Sequence, residues 1–305
     1  KGDYPVYGGA NFYQFAHDSQ FIRDLDSPKF WSLNEDHPED SAHYRIREKT
    51  FNKGELKKAI YKKFNGGDTS KSQKQFVNEL LNDKRDKPLS LSDIKLDCTE
   101  YRIVFRDVAR STDERTLIAS VIPKNIVCLD SVRTIRPYDI QISEEFLSEN
   151  PMQSVYRRTF SDQELFAALG LLNSVPFDFL IRTKVETHVP KYKFEESQLP
   201  RLTDGDDWFQ YISKRAAQLN CYGDEFAEMR QRLGGVDPAT DENERERLQA
   251  EIDAASFHAY GLNRRDTEFV LDDFHRVSNP RRMTEEYFDL VFEKYDELGE
   301  TGPHP

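Results

Sequence analysis

Two short apolar runs separated by a polar turn stand out in the first half of the chain. They are Tyr101–Val108 and Leu117–Ile122, and both are rich in β-branched residues. Runs of this length and composition, bounded by turn residues, are typical of β-strands. The pattern predicts a small β-sheet with strands at 101–108, 116–122, 126–129 and 132–136.

Apolar residues at helical spacing precede this β segment. In Phe51–Phe64, the apolar residues Leu56 and Ile60 share one face, and lysines occupy the opposite face. This spacing is that of an amphipathic helix, and a second short helix is expected at Ser70–Asn82. Further upstream, the stretch to about Asp40 is rich in aromatic residues and prolines, which predicts strands and loops.

Helical spacing also follows the β segment. Ser161 and Glu164 have the spacing of a capping box, which marks the start of a helix. The run Leu165–Val185 is apolar on most faces, so we expect it to be buried, with a kink near Pro176. Charged helices with sparse apolar seams are then predicted at 206–219, 224–233, 241–260, 267–274 and 284–298.

These patterns predict an α+β fold. We expect a small twisted β-sheet with flanking helices, followed by an acidic helical C-terminal region arranged as a hairpin or bundle. The chain divides into three predicted segments. Residues 1–160 hold the sheet, residues 161–202 form a buried helical connector, and residues 203–305 form an acidic helical tail.

The charge of the chain is unevenly distributed. The 305 residues carry a net charge of −12, and residues 203–305 account for all of it, with 12 basic and 24 acidic residues. The stretch 45–63 is basic, with eight basic residues against two acidic ones. Because local basic surface attracts duplex DNA, an acidic total does not exclude DNA binding. The eight basic residues are Arg45, Arg47, Lys49, Lys53, Lys57, Lys58, Lys62 and Lys63.

The sequence lacks the marks of several classes of protein. No apolar run approaches the roughly 18 residues of a membrane span, so we expect no membrane contact. The three cysteines, Cys98, Cys128 and Cys221, are scattered, which fits a cytoplasmic protein and gives no zinc pattern. Acids and histidines such as Asp272 and His275 are expected to form solvated helix surface, so we predict no metal site and no catalytic residue.

The segment Tyr101–Pro123 also resembles a known family. It looks like the signature of the TaqI-like C-terminal specificity region of adenine-N6 DNA methyltransferases and type IIG restriction-modification enzymes, including BREX-type methylases. With four further similar segments, the resemblance spans roughly residues 1 to 280. Those segments are Tyr7–Asp18, Leu171–Arg182, Leu199–Pro200 and Ala259–Leu262.

The resemblance implies that the parent enzyme methylates adenine N6 with S-adenosylmethionine. Such catalysis needs a Gly-rich loop and an Asn/Asp-Pro-Pro-Tyr/Phe turn, and neither occurs in this sequence. Asn150–Met152 and Asn279–Arg281 lack the second proline and the aromatic residue. Because the chain also begins at Lys1, we expect a C-terminal piece of a longer enzyme, with no cofactor and no catalytic activity of its own.

Three arginines of the polar turn are candidate DNA contacts. Arg106, Arg110 and Arg115 could bond guanine edges or phosphates, since a guanidinium is a rigid bidentate donor. Arg110 and Arg115 lie toward the turn and are the better candidates. The alternative is a structural cluster of ion pairs with the neighbouring acids Asp107, Asp113 and Glu114.

The helix predicted at 51–64 carries a second group of candidates. Its lysines would contact DNA phosphates, or else form an ordinary solvated helix face. They are Lys57, Lys58, Lys62 and Lys63.

Asn11 and Gln14 form a third group, close to Tyr13 and His17. Their amides could contact adenine bidentately, or the segment could pack on the methyltransferase domain. Two other polar residues, Asn173 and Asp178, are expected to be buried capping or network residues.

With the resemblance, these features predict a DNA target-recognition module of a site-specific adenine-N6 methyltransferase or type II restriction enzyme. The expected partners are duplex DNA and the upstream methyltransferase domain, and the setting is phage defence in a prokaryotic cytoplasm. The alternative is a protein-docking module of a phage-defence complex. That module would use its acidic helices as the contact surface and would not contact DNA directly.

Overall fold

The computed structural model describes residues 3–18, 20–21, 43–67, 69–277 and 280–304. Most of the strands and loops predicted for the N-terminal stretch fall at 22–42, outside the described residues. Within the described ranges, eight short strands form three small sheets. The strands are β1 (Asp3–Tyr7), β2 (His43–Arg45), β3 (Arg102–Arg106), β4 (Ala119–Ile122), β5 (Val127–Cys128), β6 (Val132–Thr134), β7 (Tyr138–Ile140) and β8 (Tyr156–Arg158).

The sheets have the strand orders β2-β1-β5, β4-β3-β6 and β7-β8. β3 pairs antiparallel with both of its neighbours, and β1 pairs parallel with β5. The four strands predicted from the sequence are therefore present as β3 to β6, with shorter bounds. β4 begins at Ala119 because the backbone N–H groups of Thr116 and Leu117 donate to the carboxylate of Asp178, at 2.9 and 3.0 Å, and not to a strand.

Ten α-helices lie within the described residues. They are α1 (Gly54–Phe64), α2 (Gln73–Arg85), α3 (Asp162–Asn173), α4 (Val175–Arg182), α5 (Lys191–Glu195), α6 (Asp207–Asn220), α7 (Ala227–Arg232), α8 (Glu242–Ala259), α9 (Arg264–Asp272) and α10 (Glu285–Thr301). The predicted α+β fold is confirmed, and its C-terminal helices form a bundle.

The predicted capping box and kink are both present. Ser161 Oγ accepts the N–H of Glu164 at 3.2 Å, and Glu164 Oε2 accepts the N–H of Ser161 at 2.7 Å. α3 and α4 are bent by 58° at a break over Ser174, and Pro176 lies in the first turn of α4. Among the described residues, no single helix is long and apolar enough to cross a membrane, and only this bent pair reaches that length and composition jointly.

Alternate residues of β3 face two different cores, as the two-residue period of a strand requires. Ile103 and Phe105 join the main core, which contains residues of α3, α6, α8 and α10. Val104 faces a smaller core with Tyr7 and Phe12. The main core therefore draws residues from all three segments predicted from the sequence.

A separate hydrophobic core holds a small lobe beside the sheets. It is built by α1, α2, β7, β8 and the short 3-10 helices that precede β8. Leu56 and Ile60 of α1 and Val77 and Leu81 of α2 are completely buried in it. The amphipathic pattern of α1 thus fixes which side of the helix is inside, and its lysines lie on the other side.

The highly charged helix α8 is buried over most of its length, although its sequence shows only a sparse apolar seam. Two of its charged residues are satisfied by specific partners. Glu251 accepts from Arg215 Nε at 2.5 Å, and Arg245 donates to the carbonyls of Leu219 and Ala239 at 2.6 and 2.9 Å. Small residues such as Ala254 fill the remaining positions, so α8 lies at the centre of the bundle.

Candidate nucleic-acid interface

The lysine face of α1 is the most open of the sites predicted from the sequence. Lys58, Lys62 and Lys63 are exposed and Lys57 is half-buried. In the described part of the chain, no carboxylate lies within ion-pair distance of these four ammonium groups. We call this set of four lysines the lysine face.

Two other lysines of the same lobe are paired with acids. Lys84 of α2 lies 2.8 Å from Glu144, and Lys71 pairs with Glu79. The acid of α1, Glu55, forms an ion pair with Arg136 at 2.8 Å. The unpaired positive charge of this helix is therefore concentrated on the lysine face.

Arg110 is the exposed member of the three predicted arginines. Its backbone N–H donates to Asp113 Oδ2 at 2.9 Å, which closes the turn at the tip. The guanidinium of Arg182 supports the same turn by donating to the carbonyls of Asp113 and Glu114, at 2.9 and 3.0 Å. Because this turn is firmly held, Arg110 presents its side chain from a fixed backbone.

The acidic residues of the turn act differently from the predicted ion-pair cluster. Asp107 accepts from Arg133 Nε at 2.7 Å and lies 3.0 Å from His188 Nδ1. Glu114 Oε1 accepts the backbone N–H groups of Arg281 and Met283, at 2.8 and 2.7 Å, and that of Arg282 between them. Glu114 thus joins the turn to the segment before α10, and the ion-pair partner of Asp107 is Arg133, which lies outside the turn.

Arg115 faces inward. Its Nε lies 2.9 Å from Asp178 Oδ2, and its side chain is 4% exposed. Its Nη2 donates to the carbonyl of Asn173. Burial lowers the pKa of Arg115, but the carboxylates of Asp178 and Asp253 outweigh it and hold the pKa above the ordinary arginine value. Arg115 is therefore a buried structural residue, but its partner is Asp178 and not one of the predicted acids Asp107, Asp113 and Glu114.

Arg106 is half-buried and binds the N-terminal segment. Its Nη2 donates to the carbonyl of Phe12 at 2.5 Å, and the guanidinium lies 5.3 Å from the ring centre of Tyr13. Burial lowers the pKa of Arg106 to about 10. The residue therefore fixes the segment that contains Asn11 and Gln14 against β3.

The two candidate amides of that segment both bond backbone groups of the chain itself. Asn11 Oδ1 accepts the backbone N–H of Gly8 at 2.7 Å. Gln14 is 5% exposed, and its amide donates to the carbonyls of Leu117 and Asn173 at 3.1 and 3.4 Å. The Gln14 amide is thus part of the interior, and in this arrangement it offers nothing to a base edge.

Asn173 and Asp178 are buried network residues, as the sequence predicted. The Asn173 amide makes two hydrogen bonds to Ala119, one with its N–H and one with its carbonyl, both at 3.0 Å. Asn220, which sequence reasoning missed, binds Val121 in the same way at 3.0 and 2.9 Å. The one sequence signal that could have identified Asn220 is a feature that it shares with Asn173. Each asparagine is the last residue of a long helix.

A cleft lies between the small lobe and the sheets, and sequence reasoning also missed it. Its volume is about 480 Å³, and polar and aromatic side chains line it. These include Tyr44, Asn52, Lys95, Arg102, Arg136 and Tyr138. Its residues come from distant parts of the chain, so no local pattern could have shown it. Across the described ranges, no group of three His, Cys, Asp or Glu residues is placed to hold a metal ion.

The lysine face and Arg110 lie toward opposite ends of β3. Arg102, the first residue of β3, lines the cleft together with Glu55 of α1. Arg110 follows Arg106, the last residue of the strand. The structure therefore presents two separate basic features and does not gather the predicted site residues into one patch. Comparison with family models, curated proteins and solved structures returns no match for this chain.

Proposed function

We propose that this chain binds duplex DNA as the target-recognition module of a site-specific adenine-N6 DNA methyltransferase or type II restriction-modification enzyme. It would position the DNA for a methyltransferase domain that lies outside this sequence and uses S-adenosylmethionine. The observation that carries the proposal is the lysine face, whose four ammonium groups have no acidic partner within the described residues. The proposal places the protein in the cytoplasm.

The energetics of DNA binding favour such a surface. Each phosphate that a lysine neutralises releases condensed counterions, and the gain is largest for charges that are not already paired. The acidic C-terminal region does not oppose this when it faces away from the duplex, since charges more than about 10 Å apart are screened at moderate salt.

In this proposal the two basic features contact one duplex at separate points. β3, which lies between them, spans about 17 Å, and one turn of B-DNA is about 34 Å long. The lysine face would contact the backbone, and Arg110, beyond the other end of the strand, would reach a groove or a second phosphate. Backbone contacts of this kind fix register, and base-edge contacts supply specificity.

Fluorescence anisotropy of this chain on a labelled random-sequence duplex, titrated across salt, tests the proposal. We expect binding whose log affinity falls linearly with log salt concentration. The triple change Lys58→Glu, Lys62→Glu and Lys63→Glu should abolish it. The matched control reverses three exposed basic residues outside the small lobe, Lys191, Arg201 and Lys214, and should retain most of the affinity.

Equal loss in both triple variants would point to unspecific attraction and count against the lysine face. Absence of binding at low salt, repeated with the methyltransferase domain attached, would favour the protein-docking alternative.

A further inference from the structure

An open groove lies on the side of the bundle formed by α9 and α10. Its volume is about 400 Å³, and it is lined by α9, by the 3-10 helix Asp273–Arg276 and by α10. Phe288 and Phe292 contribute aromatic surface to it, and Phe269 stands at its edge. We call this surface the aromatic groove.

Phe269 is exposed to an unusual degree for a phenylalanine. Its side chain is 69% exposed, more than any other large apolar residue described. The core-facing residues of α9 are Thr267, Val270 and Leu271, and Phe269 lies away from them. Among the described residues, its one ring contact is an edge-on approach to Phe179, with ring centres 6.1 Å apart. An aromatic side chain at the rim of a groove, left uncovered by the described part of the chain, suits the role of an anchor residue in a protein–protein contact.

The charges around the aromatic groove are mainly negative. Glu268, Asp272, Glu285 and Asp289 line it, against the two basic residues Arg265 and His275. Glu285 engages His275 Nδ1 at 2.8 Å. Within the described residues, Asp272 and Asp289 have neither a hydrogen bond nor an ion pair through their carboxylates. A bound partner would therefore meet two exposed, uncompensated carboxylates beside an uncovered aromatic ring.

We propose that the aromatic groove docks a basic amphipathic helix of a partner protein. Apolar side chains of that helix would cover Phe269, and its lysines or arginines would meet Asp272 and Asp289. A helix is the expected shape because the groove runs between helices, whose surfaces accept the ridge of a third. Nucleic acid is the wrong occupant, since its phosphates would face these carboxylates. The proposal is independent of DNA binding by the lysine face.

Selection from a displayed library of random peptides tests this on the whole chain. The library is passed over the wild-type protein after removal of everything that binds the Phe269→Ser variant. We expect the retained peptides to carry lysine or arginine together with apolar residues at spacings of three and four. Circular dichroism should show that the variant is folded, because Phe269 is mostly exposed.

One retained peptide, synthesised with a fluorophore, then gives affinities by anisotropy. Phe269→Ser and the pair Asp272→Asn with Asp289→Asn should each weaken binding at least about tenfold. The matched controls are Tyr192→Ser, another exposed aromatic residue, and the pair Glu186→Gln with Glu300→Gln, two exposed acids outside the groove. These controls should leave the affinity within about twofold.

Three results would overturn the proposal. The first is a retained pool without basic residues, or no retained pool at all. The second is equal weakening by the control acids, which would show general attraction between a cationic peptide and an acidic protein. The third is a dimer in analytical ultracentrifugation that Phe269→Ser dissociates, because a second copy of this chain would then occupy the groove.

Discussion

Arg115 and Asp178 form a buried ion pair, with Arg115 Nε 2.9 Å from Asp178 Oδ2 and both side chains almost fully enclosed. The same carboxylate accepts the backbone N–H groups of Thr116 and Leu117. One side chain of α4 therefore sets where the polar turn ends and where β4 begins. In the sequence, Arg115 was a candidate DNA contact. In the structure, it attaches the sheet to the helices.

The first prediction concerns the stability of this pair. Arg115→Ala leaves the Asp178 carboxylate buried without its main countercharge, and breaking such a pair costs about 3–5 kcal/mol. Urea unfolding followed by circular dichroism should show a loss of that size in the free energy of unfolding. Arg110→Ala, at an exposed position of the same turn, should change it by less than about 0.5 kcal/mol. If Arg110→Ala lowered the free energy of unfolding more than Arg115→Ala did, Arg110 and not Arg115 would hold the turn.

The second prediction concerns the edge of the sheet. β4 is an edge strand of the β4-β3-β6 sheet, and the Asn220 amide satisfies both backbone groups of Val121 on its open side. Asn220→Ala removes both partners, and each buried unsatisfied group costs about 1–3 kcal/mol. Hydrogen exchange at the Val121 amide should accelerate, and unfolding should need less urea. Asn82→Ala, at an exposed position of α2, is the control. Unchanged exchange at Val121 would show that water replaces the amide at no cost.

The third prediction concerns acid stability of the small lobe. Burial raises the pKa of Asp93, but Arg85 and the N–H groups of Ser90 and Met152 more than offset it and lower the pKa to about 2. The folded pKa lies below the unfolded one, so the stabilisation is complete above about pH 4 and is lost as the pH falls toward 2. It is worth about 2 kcal/mol.

Asp93→Asn should therefore be less stable than the wild type at neutral pH, and the gap should narrow between about pH 4 and about pH 2. Urea midpoints measured across that interval test this. The exposed Asp139→Asn, which lies on β7 in the same lobe, should track the wild type throughout. A constant gap between wild type and Asp93→Asn would assign the effect to packing and not to charge.

Local signals made much of the fold predictable from the sequence. The capping box of α3 and the apolar face of α1 are set by residues three to four positions apart, and the strand periods of β3 and β4 are equally local. The burial of Gln14, Arg115 and Asn220 was not predictable, because their partners lie 58 to 159 residues away in sequence. α8 shows the same limit, since its charged residues are buried by pairing with distant residues.

The fourth prediction separates the two roles open to Arg110, and its exposed position makes the test possible. If its guanidinium bonds the edge of a guanine, Arg110→Lys should lose discrimination between a target sequence, selected from a random DNA pool, and a single-base mismatch, because an ammonium lacks the rigid planar pair of donors of a guanidinium. The discrimination lost would be about 1–3 kcal/mol, with affinity for random DNA nearly unchanged.

If Arg110 binds a phosphate, Arg110→Lys should behave like the wild type on both the matched and the mismatched duplex. Arg110→Ala should then make the fall of log affinity with log salt shallower, by about 0.9 in the slope. Lys62→Ala is the reference for a phosphate contact, since its ammonium lies on the lysine face without an acidic partner among the described residues. Anisotropy on the matched, mismatched and random duplexes at several salt concentrations gives both quantities, and an Arg110→Ala variant that changes neither would remove Arg110 from the interface.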